Sequence, residues 1–166
     1  MNEAGRNITS KTLNGIDIPS FIYIDTATMK YGNLILEKKE YVFLKRLLNV
    51  TGYYKDENTK VSLKKLSGEL TSALIYNHEQ MPVDVIRFNS IVTVESGTWQ
   101  TEFQLVIPTE RNIAANKISI LAPMGSAVMG YAEGDSVIWS FPNGTKELKI
   151  TKVRQAQKPI DIDVLS

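Results

Sequence analysis

The chain has 166 residues and 43% hydrophobic content, enough for one compact domain with an appendage or for two small units. A formal net charge of +1 argues against a general polyanion binder, so nucleic acid is not the expected partner. There is no cysteine, which excludes a disulfide framework and a thiolate metal site, and no stretch has the apolar run of a signal peptide or membrane span. A cytoplasmic protein is expected, and the sequons at Asn7, Asn49 and Asn143 read as chance matches.

Residues 1–18 are polar and without periodicity, the pattern of a loosely ordered tail. Phe21, Ile22, Tyr23 and Ile24 follow as a short strand or docking segment. From Glu37 the period becomes helical. Tyr41, Leu44, Leu47 and Leu48 form one apolar stripe, and Leu63, Leu66, Leu70, Ala73 and Leu74 form a second. Thr51-Gly52 ends the first helix, Thr59 or Ser62 is the expected N-cap of the second, and Asn77 with Pro82 closes it. The spacing predicts two short helices packed as an antiparallel hairpin, joined by a polar loop that contains Asp56 and Glu57.

Ile91, Val92 and Val94 precede a Glu95-Ser96-Gly97 turn. Trp99, Thr101, Phe103, Leu105 and Ile107 then alternate with Gln100, Glu102, Gln104 and Val106, which predicts a strand central in its sheet. Ile118 and Ile120 read as another strand, stopped by Pro123, with one helical turn over Ser126–Met129 and Gly130 in the left-handed closing position. Glu133-Gly134-Asp135 is a turn. Val137, Trp139 and Phe141 lead into Pro142-Asn143-Gly144, a hairpin signal, and Leu148, Ile150 and Val153 return. The tail after Val153 reads as a loose end or an edge addition.

At these residues the chain resembles the Gre/Rnk family of transcription factors. The resemblance rests on the strand–Pro–short helix–Glu-Gly-Asp–hairpin run from Ile118 to Val153. It also rests on Met81, Pro82, Asp84, Val85, Asn89 and Ser90, which match the domain entry of Rnk-like members. It implies an α+β fold, in which an FKBP-like antiparallel sheet carries one short helix and follows a short antiparallel helical hairpin. The chain then divides into a tail with one candidate strand (1–35), the hairpin (36–78), the FKBP-like domain (79–155) and a C-terminal tail (156–166). The resemblance further implies RNA polymerase as partner, near its secondary channel, and a monomer.

In Gre factors a longer hairpin carries two acids, three residues apart, to the polymerase active centre, where they help hold a metal. Here the acids are adjacent, and arms of a dozen to sixteen residues reach only about 18–24 Å. Asp56 and Glu57 are therefore candidate metal-holding acids on one reading and a solvated turn on the other. The loop Ala122, Pro123, Met124, Gly125, preceded by Leu121, corresponds to the family's polymerase-gripping loop, and equally suits a strand turning into a helix. Between Glu37 and Lys65 eight Lys/Arg face four Asp/Glu, a solvated basic face or a contact for an acidic partner.

No nucleophile motif or phosphate loop is present, and the lone histidine, His78, reads as a helix-end residue beside a C-terminal dipole. The expectation is a non-enzymatic regulator without cofactor that competes with Gre factors. The alternatives are a cleavage factor using Asp56 and Glu57, and a peptidyl-prolyl isomerase, for which Trp139 and Phe141 are the only pocket aromatics.

Overall fold

The computed structural model describes residues 10–13, 16–19, 29–50, 56–141 and 144–157. Strands β1 (Ser10–Leu13) and β2 (Ile16–Pro19) pair antiparallel, so a two-stranded ribbon stands inside the stretch expected to be loose. The candidate strand at Phe21–Ile24 lies outside the described residues, as do residues 158–166 of the C-terminal tail.

Strand β3 (Ile35–Glu37) leads directly into α1 (Lys38–Val50). Glu37 makes that start possible, because its Oε2 accepts the backbone N–H groups of Lys39 at 2.8 Å and Glu40 at 3.0 Å. Two otherwise unpartnered first-turn donors are thereby satisfied. After residues 51–55, which are not described, α2 (Glu57–Leu70) runs back as the second arm of the helical hairpin. Leu44, Leu63, Leu66 and Leu70 are buried as the stripes require, at roughly 2 kcal/mol of apolar burial for each side chain.

Three hairpin expectations need correction. The N-cap of α2 is Asp56, not Thr59 or Ser62, since the Thr59 N–H is the donor to the Asp56 carboxylate. The helix stops at Leu70 with Thr71 as C-cap, well before Asn77. Leu74 belongs to β4 (Leu74–Tyr76), which pairs parallel with β3 in the register Ile35 to Leu74. A three-residue strand is too short for period-2 alternation to be seen, so the helical period absorbed it.

The second layer is a five-stranded sheet in the order β7-β6-β5-β9-β8. Its strands are β5 (Ile91–Ser96), β6 (Trp99–Val106), β7 (Lys117–Ser119), β8 (Ser136–Phe141) and β9 (Gly144–Arg154). All neighbours pair antiparallel except β6 with β7. The central strand is β5; β6 lies one place away, because the short β7 closes its far side. Ile150 and Val153 both face the core although three residues apart, and the register shift opposite Thr93 and Val94 supplies the extra residue. Phe141 pairs with Gly144, the closure expected of a two-residue hairpin.

The short helix α3 (Pro123–Val128) is buried against the sheet and α2. Gly130, at φ +82°, follows it and joins three segments: its carbonyl accepts the Ile35 N–H and its own N–H reaches the Ile86 carbonyl. A Cβ there would sit 3.0 Å from the Leu34 Cβ, so both the conformation and the space call for glycine. One core therefore runs from Leu44 and Leu66 of the hairpin to Phe103 and Leu105 of the sheet. No described helix is long and apolar enough to cross a membrane.

Candidate functional site

At the hairpin tip the two acids have different tasks. The Asp56 Oδ2 accepts both the Thr59 N–H at 2.9 Å and the Thr59 hydroxyl at 2.7 Å. These bonds hold its carboxyl below the usual aspartate range. Glu57 pairs with Lys60 at 2.9 Å, one turn along, with its side chain 81% exposed. Asp56 thus acts as a helix cap while remaining exposed, and Glu57 is the second exposed carboxylate of the tip. Among the described residues no group of three His, Asp or Glu side chains is placed to hold a metal ion.

The loop into α3 is divided in a similar way. Ala122 is its N-cap and Pro123 its first residue, where a missing N–H costs nothing. Leu121, Ala122 and Pro123 are partly accessible, whereas Met124 and Gly125 are buried. A Cβ on Gly125 would lie 2.2 Å from the Ser119 carbonyl oxygen, so this glycine exists for close packing. Only the first half of the loop offers surface to a partner.

The Met81–Ser90 segment proves to be a fastening between the layers. Asp84 receives the Lys30 ammonium on Oδ2 and the Tyr31 hydroxyl on Oδ1 at 2.8 Å. Burial pushes the Asp84 carboxyl up, but these two hydrogen bonds outweigh it and hold it low. Nearby, Asp135 accepts the Lys30 N–H at 2.6 Å and the Ala132 N–H at 2.8 Å, and its partial burial raises its carboxyl. Asn89 adopts φ +69°, and the buried Ser90 hydroxyl accepts the Arg87 N–H and donates to the Gln155 Oε1 at 2.7 Å.

Arg87 joins the hairpin to this segment. Its Nε donates to Glu40 Oε2 at 2.7 Å, and Glu40 Oε1 accepts the Phe88 N–H at 2.9 Å. The Arg87 Nη1 lies 3.3 Å from His78 Nδ1. His78 opens a one-turn 3-10 helix rather than ending an α-helix, so the dipole reading of it is corrected. Sequence reasoning missed Glu40 because it sits among Lys38, Lys39 and Lys45 on an apparently solvated face. Its signal was its position one residue before Tyr41, at the edge of the apolar stripe. Trp139 stacks on Trp99 with centroids 6.5 Å apart and planes at 21°, so its ring is covered on one face by a second indole.

Residues 81–155 match the family model described as transcription elongation factor, GreA/GreB, C-term. These residues are similar to a GreA/GreB C-terminal domain. Among curated proteins, the chain is 27% identical over 146 residues to transcription elongation factor GreA of Rhodospirillum rubrum, covering 87% of each. It is 34% identical over 82 residues to the regulator of nucleoside diphosphate kinase of Escherichia coli, covering 48% of this chain and 60% of that protein. A solved GreA/GreB factor from Nitrosomonas europaea superposes with a TM-score of 0.59 at 28% identity, over 74% of this chain and 98% of its own. The helical hairpin followed by a mostly antiparallel sheet is the architecture shared with that Gre neighbour. Homology thus reaches both GreA and the kinase regulator, and the match to GreA extends upstream of the domain through the hairpin.

Proposed function

We propose that this protein is a non-enzymatic regulator of transcription that binds RNA polymerase near its secondary channel and competes there with Gre factors. The Gre-type domain supports the choice of partner. The observation that carries the choice of regulator over cleavage factor is the hairpin itself. Its arms have 13 and 14 residues, which is about 20 Å of reach, and the Asp56 carboxylate is engaged in capping α2. The accessible part of the α3 entry, Ala122 with Pro123, would meet the polymerase, with Met124 and Gly125 shaping the turn from within. Such a protein would act in the cytoplasm as a monomer, and its affinity would come from surface complementarity.

A cleavage-factor role is the second reading, favoured by the match to GreA through the hairpin and by the exposed Glu57 at the tip. The test is capture of core RNA polymerase on the immobilised full chain, with and without a competing Gre factor. Capture that the Gre factor displaces is the expected result. Absence of capture would remove both readings. Stimulation of transcript cleavage by the captured complex would replace the first with the second.

A further inference from the structure

A groove of about 340 Å³ opens where α1, the segment from His78 to Phe88 and the end of β9 meet. Its size lies in the range of sites that take small organic molecules. Met81, Pro82, Val83 and Phe88 supply apolar lining, and Arg87 and His78 supply polar lining. Gln155 also borders it, but its amide is committed: Nε2 donates to the Val83 and Val85 carbonyls while Oε1 accepts from Ser90. That amide fixes the shape of the groove and leaves recognition to other groups.

Arg87 and Glu40 contribute unequally to the surface of this groove. The Glu40 side chain is 1% exposed, with both oxygens taken by Arg87 and the Phe88 N–H, whereas the Arg87 side chain is 16% exposed and lines the groove. Arg87 uses Nε for Glu40 and directs Nη1 to His78, and among the described residues Nη2 has no acceptor. The groove is therefore offered the cationic member of an ion pair whose anion is recessed behind it. A guanidinium in that state still has an amine edge able to donate two parallel bonds to a carboxylate.

We propose that this groove binds a small organic monocarboxylic acid. Its carboxylate sits on the amine end of Arg87 beside His78, and its apolar body lies on Met81, Pro82, Val83 and Phe88. Because Glu40 belongs to the hairpin and Arg87 to the sheet-domain entry, such a ligand touches the joint between the two layers. The inference goes beyond polymerase docking and does not depend on it.

The experiment is an amide-resolved NMR titration of the full chain at neutral pH with hexanoate, hexanamide and acetate, without polymerase. Hexanoate is expected to give saturable shifts at the amides of Val83, Arg87, Phe88 and Gln155. Hexanamide lacks the charge and acetate lacks the apolar body, so each should bind roughly tenfold more weakly. Val83 is 81% exposed, so Val83→Asp leaves the fold intact while adding a like charge at the groove, and should weaken hexanoate several-fold. Equal binding of hexanamide, shifts that rise without saturating, or shifts elsewhere on the chain would each overturn the proposal.

Discussion

Glu40 and Arg87 stand 47 residues apart in sequence and meet at 2.7 Å, with the carboxylate almost wholly removed from water. Removing one member of such a pair leaves the other charge without its partner, which typically costs about 3–5 kcal/mol. Glu40→Ala should therefore lower unfolding free energy by about 3 kcal/mol in urea denaturation. The double variant Glu40→Met/Arg87→Met should recover most of that loss, since neither residue is then an unpaired ion. A double variant as unstable as the single one would show that the hairpin base depends on more than this pair.

The same carboxylate gives a pH signature. Burial pushes the Glu40 carboxyl up, against the pull of Arg87, so the folded chain holds this proton more tightly than the unfolded chain. The contribution of Glu40 therefore falls as pH rises from its unfolded value of about 4.3 through the higher folded one. Asp84 behaves in the opposite sense: its stabilisation is present above an unfolded value of about 3.9 and is lost as pH falls through the lower folded one. Acid unfolding curves should thus flatten at the acid end in Asp84→Asn. Glu40→Gln should flatten the slope between its two values instead.

Two glycines separate packing from propensity. Gly125→Ala places a methyl group against the Ser119 carbonyl and should cost about 3 kcal/mol, with α3 displaced from the sheet. Gly68 lies inside α2, and a Cβ there would meet nothing within 4 Å, so Gly68→Ala should stabilise by about 1 kcal/mol. Thermal unfolding of the two variants checks both signs.

At the tip, Asn caps a helix about as well as Asp but carries no charge. Asp56→Asn should therefore preserve the melting temperature, while Asp56→Ala should lower it by a few degrees. For a regulator that does not use its tip chemically, neither Asp56→Asn nor Glu57→Gln should alter transcript cleavage by a halted polymerase. A loss of cleavage in both charge-neutral variants would instead assign the tip to metal binding.

Much of this was legible in the sequence because the periods are long and undisturbed. The stripes of α1 and α2 and the alternation of β6 carried several consistent residues, whereas the helical turn expected over Ser126–Met129 begins three residues earlier, because Pro123 starts α3 rather than only stopping the strand before it. The short parallel pair β3–β4 was not legible, since three residues display no period and parallel partners lie far apart in sequence. Nor was the order of the sheet, because the length and clarity of β6 say nothing about who lies beside it. At the tip, composition marked Asp56 and Glu57 as a pair, but only the three-residue offset to Thr59 separates a cap from a surface ion pair. Glu40 escaped notice because a buried ion looks in sequence like any helical surface charge.

The parallel pairing of β3 with β4 closes the hairpin at its root, so the two helices form an excursion that leaves and re-enters the body at one place. Residues added at or removed from the far end alter how deep the excursion reaches without touching the strands that seat it. Reach and attachment are thereby separate variables in this architecture. A chain with longer arms could keep the same root and the same body beneath it, so length can change here without refolding anything else.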